Sequence, residues 1–489
     1  MSAVPALNLD LARIDPAWAL RIPVSLALRR RVLPFAKLDH RIHVACADPN
    51  DQASLDAVAR FTGLPVVPVV VDSEMLTRAL GRVYGDGRPR AAAVREAGEA
   101  DDVTALAEEI LHAALLRQAS DIHLDPGRDD LRVRLRVDGE LEDYRRLPSS
   151  IHAALTSRLK VLAGMDIAER RAPQDGSFIH QFQLGEKAHS VDVRVASLPT
   201  KHGERMTLRL LATQDQWLSL EALGMSERDL ALFEGTLDQP HGMVLLTGPT
   251  GGGKTTTLYA AVRRLLAGRP LNIISVEDPV ECEIPGVAQV EVDSADKIPF
   301  GRALRALLRH DPDVLVIGEI RDLDSLDIAV KASLTGHLVF STLHTNNAVG
   351  AVTRLIDMGM PAHLIGATLR LCVAQRLVRR LCPHCRRPVT LDEPMALTLG
   401  LPEAAGRSVH EAGQCLYCAG RGYSGRMGLF ECAPIDAEAG ALIAHGFSES
   451  ALTGMLSKRG FRTLLADGAE KAVAGLTTVR EVLNATLIT

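Results

Sequence analysis

The segment GMVLLTGPTGGGKTTTLYAAVRRLL, residues 242–266, constrains the fold of this 489-residue chain more than any other segment. Met243 to Leu246 form a short apolar run, which predicts a buried strand, and Thr256 to Leu266 carry the apolar spacing of a helix. Between them, residues 248–255 fit the pattern G-x-x-x-x-G-K-[ST] in full. A glycine-rich turn between a strand and a helix aims main-chain N–H groups at phosphate oxygens, and the helix N-terminus adds positive partial charge. We therefore predict a phosphate-binding loop in an α/β fold.

Side chains of this loop complete a site for a nucleoside triphosphate. Lys254 is long enough to reach the β- and γ-phosphates, and the Thr255 hydroxyl can bind Mg²⁺. The alternative is a glycine-rich turn without a ligand, which the flanking strand and helix disfavour. The predicted nucleotide-binding residues are Gly248, Pro249, Thr250, Gly251, Gly252, Gly253, Lys254, Thr255 and Thr256.

Two other apolar runs, Val314–Ile317 and Asn272–Val276, end in acidic residues. The carboxyl ends of strands in a parallel sheet face the ligand, so a strand beside the phosphate loop would bring its acid to the γ-phosphate. Glu319 is predicted to orient or deprotonate the attacking water. Glu277 and Asp278 are predicted to hold Mg²⁺ through water or to position the nucleophile. The alternatives are a surface acid for Glu319 and a strand-capping pair for the other two.

Four of the eight cysteines occur as two C-x2-C pairs, in RLCPHC (380–385) and QCLYC (414–418), with 29 residues between the pairs. Two such pairs complete a closed tetrahedral thiolate shell around Zn²⁺, which leaves no open position and makes the metal structural. The long spacer requires a folded insert, and two coincidental dithiols are the alternative. The predicted zinc ligands are Cys382, Cys385, Cys415 and Cys418.

The composition excludes several function classes. The formal net charge is −5 and aromatic residues are 3%, which argues against a nucleic-acid-binding protein. Apolar runs stay far short of the ~18 residues that a membrane helix needs. The N-terminus carries acids early and lacks a basic region followed by an apolar core, so we expect no signal peptide and a cytosolic chain.

Changes in composition and pattern predict the domain organisation. Residues 1–84 alternate helices with short apolar strands and form an N-terminal α/β module. Residues 85–101, rich in glycine, alanine and charge, are predicted to be a linker, although a solvated loop within one domain is the alternative. A second N-terminal domain follows at 102–213. Residues 214–489 form the phosphate-binding domain, with a tetracysteine subdomain at about 380–432.

Arginines are crowded into the second domain, and two of them, Arg194 and Arg209, lie on strand-like segments with apolar neighbours. An arginine supplied from another domain can stabilise transition-state charge on a γ-phosphoryl group. A solvated basic face of a sheet is the alternative.

The order of these motifs resembles the secretion ATPases of the type II secretion and type IV pilus assembly class. The resemblance covers about residues 102–489 and is looser over 1–84. It rests on GPTGGGKTTTLYA, NIISVEDPVE, LRHDPDVLVIGEIRD, LTGHLVFSTLHTN, LCPHC and CLYC, and on ASDIHLDP, LRVRLRVDG, DIAERRAPQDG and VDVRVASLPTKHGERMTLRLL ahead of them.

The resemblance implies an α/β fold with a P-loop, RecA-like ATPase core, preceding α/β domains (an N-terminal docking module, then a PAS-like domain) and a zinc-binding insert. It makes residues 248–255 the Walker A loop and Glu319 the Walker B acid. It places His344 in the family's His box, where a lone histidine would otherwise be read as structural. The remaining roles that it implies are an Asp box at Glu277 and Asp278, nucleotide-reaching arginines at Arg194 and Arg209, and zinc knuckles at the four cysteines.

The resemblance also implies a cytoplasmic homo-hexamer that uses ATP, Mg²⁺ and Zn²⁺. Such a hexamer docks on inner-membrane platform proteins, so its membrane association is peripheral, and it drives pseudopilus assembly and protein export. A type IV pilus extension ATPase is the first alternative. A nucleic-acid translocase and a non-hydrolysing scaffold are less favoured, because of the net charge in the first case and the intact Lys254, Thr255 and Glu319 in the second.

Overall fold

A computed structural model describes residues 7–85, 100–184, 187–211, 219–292 and 300–487. The predicted linker, residues 85–101, falls almost wholly outside the described residues. The described chain divides into two compact units. The first unit comprises residues up to 213 together with two later segments, 381–387 and 412–424, and the second comprises 214–380, 388–411 and the residues from 425 onward.

The N-terminal part of the first unit is a small α/β module. Its elements are α1 (Pro16–Ala19), α2 (Val24–Arg30), β1 (Val32–Leu38), β2 (Arg41–Cys46), α3 (Gln52–Thr62), β3 (Val66–Val70) and α4 (Ser73–Tyr84). β1 pairs with β2 in antiparallel fashion, and α3 crosses over so that β3 pairs with β2 in parallel. The Asp51 side chain accepts the Ser54 N–H at the start of α3, and Gly63 ends that helix with φ of 68°.

The rest of the first unit is an antiparallel sheet with helices on one face. Its elements are α5 (Ala100–Leu116), β4 (Ala119–Pro126), β5 (Asp130–Val137), β6 (Glu140–Pro148), α6 (His152–Leu162), β7 (Gln174–Leu184), β8 (Lys187–Thr200) and β9 (Gly203–Leu210). The strand order is β6-β5-β4-β9-β8-β7. Every second residue of β5 is buried, as its alternating sequence predicts, and these side chains share a core with α5 and α6.

The second unit is built on a sheet of order β12-β11-β13-β14-β10-β15-β18, and a separate pair joins β16 to β17. Its strands are β10 (Gly242–Thr247), β11 (Ile273–Glu277), β12 (Val287–Glu291), β13 (Val314–Ile317), β14 (Leu338–Leu343), β15 (Leu369–Leu381), β16 (Arg387–Thr390), β17 (Ser408–Glu411) and β18 (Tyr423–Pro434). Its helices are α7 (Glu227–Leu237), α8 (Lys254–Gly268), α9 (Phe300–Leu307), α10 (Leu323–Leu334), α11 (Val349–Asp357), α12 (Ala362–Thr368), α13 (Glu393–Thr398), α14 (Ala437–Gly446), α15 (Glu449–Lys458), α16 (Leu464–Val473) and α17 (Val479–Leu487).

The central strands of this sheet are buried on both faces. All residues of β10, β13 and β14 are buried, as their unbroken apolar runs predict. β10, β14, β13 and β11 pair in parallel, so their carboxyl ends meet at one edge. The expected α/β fold with a P-loop core is therefore confirmed. One detail differs: β14 lies between β10 and β13, because the order of strands along a chain does not fix their order in a sheet.

No described helix is both long and apolar enough to cross a membrane.

A lysine on α6 is buried in the core of the antiparallel sheet. Lys160 is 1% exposed, and its Nζ lies 2.5 Å from Oε1 of Glu204 and donates a hydrogen bond of 2.6 Å to the Glu169 carbonyl. A buried carboxylate that loses its partner costs about 3–5 kcal/mol, whereas replacing both charges with neutral groups costs much less.

We predict that Lys160→Met lowers the free energy of local unfolding of α6 and β9 by about 3 kcal/mol, because Glu204 is left as an uncompensated buried charge. The double variant Lys160→Met/Glu204→Gln recovers most of that loss. Hydrogen exchange of the α6 and β9 amides in the full chain measures both values. Equal losses in the single and double variants would contradict the ion-pair argument.

Candidate nucleotide-binding site

The predicted phosphate loop joins β10 to α8. Gly253 is the N-cap of α8 and has left-handed φ and ψ of 84° and 14°, and Gly248 and Gly251 also have positive φ, at 148° and 75°. Side chains strongly disfavour this region, so the glycines supply a backbone path that other residues cannot follow. The path leads from the buried end of β10 directly to the first turn of the helix.

A neighbouring strand limits the space beneath this loop. Thr247, the last residue of β10, pairs with Ala374 of β15, so Gln375 lies beside Gly248. A Cβ atom on Gly248 would lie 2.4 Å from the Gln375 carbonyl oxygen, and one on Gly253 would lie 2.7 Å from Gln375 Nε2. The Gln375 amide oxygen also accepts the Thr257 hydroxyl at 2.7 Å, which fixes it against α8. Glycine is therefore required at Gly248 and Gly253 for space as well as for conformation.

The lysine of the motif lies inside the loop. Lys254 is 8% exposed, and its Nζ donates hydrogen bonds to the carbonyls of Gly248 at 2.6 Å and Pro249 at 3.0 Å. Burial lowers the pKa of Lys254, nearby Glu319 opposes that shift, and Arg376 adds to it. The two carbonyls hold the ammonium group at the centre of the loop, where an anion would meet it.

The acid after β13 belongs to a compact charged cluster. Glu319 Oε1 lies 3.3 Å from His344 Nε2, and its Oε2 accepts a 3.0 Å hydrogen bond from Arg321 Nε. Arg321 also reaches Asp278 Oδ2 at 3.3 Å, so it connects the acids that follow β13 and β11. The structure thus brings Glu319, His344 and Asp278 together at the sheet edge that carries the phosphate loop.

Glu277 has different surroundings from Asp278. It is 5% exposed and accepts hydrogen bonds from the hydroxyls of Tyr259 at 2.5 Å and Ser275 at 2.6 Å, and from the Gln289 amide at 3.2 Å. Burial and the adjacent Glu277 raise the pKa of Tyr259, which keeps that phenol protonated as a donor. Because Tyr259 lies on α8, these bonds connect the end of β11 to the helix that follows the phosphate loop.

Arg194 and Arg209 are direct cross-strand partners on β8 and β9 in the first unit. Arg209 Nε lies 3.1 Å from Asp121 Oδ1, with the arginine side chain 62% exposed, and Arg194 Nε lies 3.4 Å from Asp192 Oδ2. The two guanidinium groups therefore lie on neighbouring strands of one sheet. Their predicted contact with nucleotide stays a prediction.

The four predicted zinc ligands form a cluster, and all their sulfur atoms lie within 4.8 Å of one another. Three of the sulfur–sulfur distances are 3.7 or 3.8 Å. A tetrahedron with metal–sulfur bonds of about 2.3 Å has edges of about 3.8 Å, so the cluster fits a zinc-sized ion. His384, inside the first pair, instead stacks on Tyr417 with ring centroids 3.7 Å apart. The long spacer contains α13 and the β16–β17 pair.

Sequence reasoning missed four residues of this site: Gln375, Arg376, Arg321 and Tyr259. Gln375 and Arg376 lie within β15, more than 100 residues beyond the phosphate loop, and form no recognisable motif by themselves. Arg321 is two residues after Glu319 in the segment DVLVIGEIRD, and this short separation was the signal that could have placed it in the site. Tyr259 appears in the sequence only as one residue of the α8 apolar pattern.

Comparison with known proteins identifies the family. Residues 96–484 match the family described as "Type II/IV secretion system protein", and residues 2–90 match the MshEN domain. The chain belongs to the type II/IV secretion system protein family. The sequence-based assignment to the secretion ATPases of this family is therefore confirmed, and with it the class of enzyme, an ATP hydrolase.

Curated members of this secretion family resemble the chain over nearly its full length. The type II secretion system protein E of Pseudomonas aeruginosa is 41% identical, and the match covers 95% of this chain and 96% of that protein. The type IV pilus assembly ATPase PilB of Myxococcus xanthus is 38% identical, with 99% and 89% covered. Among solved structures, that of the pilus retraction motor PilT with bound ADP matches with a TM-score of 0.52 and 25% identity, covering 77% of this chain and 95% of PilT.

We predict that Gly253→Ala weakens ATP binding at least about tenfold, because the new methyl group meets Gln375 and the residue must hold a positive φ. Gly251→Ala is the matched control, since Gly251 has φ of 75° but no atom within 4 Å of the added Cβ. Titration with a fluorescent ATP analogue measures both affinities. Equal losses would show that the contact with Gln375 does not limit the loop.

Proposed function

We propose that this chain is a hexameric ATPase that powers pseudopilus assembly and protein export in a type II secretion system. The proposal rests on one observation in a chain of this family: Lys254 lies close enough to Glu319 for their charges to interact, and Glu319 contacts His344 at the same edge of the sheet. A cation can bind the phosphates and a carboxylate can orient the attacking water, and both groups serve the hydrolysis of ATP.

In the proposed reaction, the loop binds the phosphates of ATP, and Lys254 turns from its two carbonyl partners to the β- and γ-phosphates. Thr255 provides the hydroxyl that binds Mg²⁺, and the metal, when bound, neutralises charge on the phosphate oxygens. Glu319 accepts a hydrogen bond from the attacking water and orients it toward the γ-phosphorus. His344, in contact with Glu319, holds that carboxylate in place and faces the same region.

The remaining site residues support this centre. We assign Asp278, which contacts Arg321, to the outer part of the metal site, and Glu277, through Tyr259, to the position of α8. Arg194 and Arg209 are proposed to stabilise charge on the γ-phosphoryl group when the second N-terminal domain approaches a nucleotide, in the same or in a neighbouring subunit.

From the membership of this family we infer a cytoplasmic hexamer, peripheral to the inner membrane, that docks on platform proteins of the secretion machine. Movement of the N-terminal half relative to the ATPase core during hydrolysis would transmit force to the growing pseudopilus. The net charge of −5 and the small aromatic content support a protein partner over nucleic acid.

Type IV pilus extension is the second candidate, because the PilB relative aligns with 99% of this chain. The match with the type II protein E covers 96% of that relative against 89% for PilB, which supports the secretion assignment. Adjacent pseudopilin and secretin genes would support secretion, whereas adjacent major pilin genes would support pilus assembly.

We predict that Glu319→Gln binds ATP with nearly the parent affinity but hydrolyses it at least about 100-fold more slowly, because the amide cannot take up a proton from water. Steady-state phosphate release and ATP titration measure the two quantities. Asp327→Asn is the matched control, since this exposed acid on α10 pairs with Lys331 and lies outside the site. Its turnover is expected to match that of the parent chain.

Lys254→Ala completes this test, because it removes the cation for the phosphates and is expected to abolish both ATP hydrolysis and export in cells. Unchanged turnover in Glu319→Gln would refute its assigned role. Undiminished hydrolysis in Lys254→Ala would refute the proposed function as a whole.

The cysteine cluster is proposed to hold one structural zinc ion per chain, because four thiolates in a closed shell match the preference of Zn²⁺. We predict about one zinc per chain by elemental analysis, and loss of most of it in Cys382→Ser. Cys282→Ser, which changes a thiol outside the cluster, is expected to retain the metal. Full zinc content in Cys382→Ser would point to other ligands.

A further inference from the structure

The loop that follows β14, residues 345–348, is held by residues of other strands in the same sheet. The first of them is Thr247 at the end of β10. Its hydroxyl accepts the Thr345 N–H at 2.8 Å and lies 2.6 Å from the Thr345 hydroxyl. Since Thr247 directly precedes Gly248, and Thr345 directly follows His344, these bonds connect the start of the phosphate loop to the histidine.

Arg376 holds the same loop from β15. This arginine is 7% exposed, and its guanidinium group donates to the Asn346 carbonyl at 2.9 Å and to the Gln375 carbonyl at 3.0 Å. The group also lies directly beneath the phosphate loop, because a Cβ atom on Gly248 would be 3.1 Å from Arg376 Nη1. One side chain therefore lies beneath the phosphate loop and donates a hydrogen bond to the 345–348 loop.

Glu431 of β18 completes the arrangement. It is 4% exposed, and its carboxylate accepts the Ala348 N–H at 2.8 Å and the Leu464 N–H at 3.1 Å. These two N–H groups lie at the starts of α11 and α16, where helices present unsatisfied donors. The charge of Glu431 also favours the cationic form of Arg376 and so opposes the effect of burial, which lowers the pKa of that arginine.

A buried cation costs desolvation free energy that an apolar side chain of similar volume does not. Simple packing beneath Gly248 would be served by leucine or methionine at position 376. The task visible here is directional, because the planar guanidinium group offers several donors in fixed positions. It uses them on the Asn346 carbonyl of the 345–348 loop and on the Gln375 carbonyl of its own strand, β15.

We propose that Arg376 is a positioning residue for ATP hydrolysis: it holds the 345–348 loop against β15, directly beneath the phosphate loop, so that His344 stays in contact with Glu319. This inference rests on the proposed function and adds a residue that acts through others. Thr247 and Glu431 hold the two ends of the loop, and Arg376 holds its middle. The competing possibility is a direct contact between Arg376 and the phosphates.

The test compares Arg376→Met and Arg376→Lys with the parent chain. Arg376→Met is expected to lower kcat about 30-fold while changing the affinity for ATP less than about threefold, because the loop loses its position and the phosphates lose no contact. Arg376→Lys keeps the charge and one donor and is expected to recover part of the lost kcat. Arg370→Met is the matched control, since Arg370 lies at the start of β15, beside Gly242, and also donates to main-chain carbonyls.

A double-mutant cycle with His344→Ala gives the second readout. If Arg376 acts through His344, the double variant hydrolyses ATP about as slowly as the slower single variant, whereas independent roles would multiply the two losses. Multiplied losses, or an unchanged kcat in Arg376→Met, would overturn the proposal. A loss of ATP affinity as large as the loss of kcat would indicate direct phosphate contact instead. If Arg376→Met does not fold, the cycle is run with Arg376→Lys and has the same outcomes.

Failure of this inference is distinct from failure of the proposed function. If the parent chain and Arg370→Met both hydrolyse ATP, the function stands and the variants at Arg376 decide the positioning role. If neither hydrolyses ATP, the proposed function itself is refuted.

Discussion

The close approach of β15 to the phosphate loop is the interaction on which the rest of the site depends. Pairing of Thr247 with Ala374 places Gln375 directly beneath the loop, at distances that leave no room for a Cβ on Gly248 or Gly253. The loop is thus shaped from below by a strand as well as from within by its own glycines. A preformed loop loses less conformational freedom when it binds an anion, so this packing favours tight binding of phosphate.

The parallel direction of β10, β14, β13 and β11 is a second geometric constraint on the site. Because these strands run in parallel, their carboxyl ends lie side by side, and the polar residues at those ends lie at one edge of the sheet. Glu319 follows β13 and His344 follows β14, and these two strands are paired in the sheet. The two residues therefore meet although they are 25 positions apart in the sequence. The hydrogen bond from Arg321 to Asp278 extends the same edge to β11.

The sequence was most informative where chemistry and local pattern coincide. Residues 248–255 and the two cysteine pairs each carry a spacing that only a few structures satisfy, so their placement could be predicted. Glu319 could be predicted because it follows an apolar strand in a chain that also has the phosphate loop. Gln375 and Arg376 could not be, because their importance comes from the pairing of β15 with β10, and no local pattern reports such a pairing. The antiparallel strands β6 and β7 were missed as well, because their sequences mix polar residues with few apolar ones.

The four clustered cysteines lie in two short segments, 381–387 and 412–424, and this limits where the chain can be divided into fragments. Both segments belong by their contacts to the first unit, although they lie in the C-terminal half of the sequence. A fragment that stops at residue 213 would therefore lack part of its own unit, including every thiol of the cysteine cluster. The two units alternate along the sequence, so a single cut in the polypeptide cannot separate one from the other.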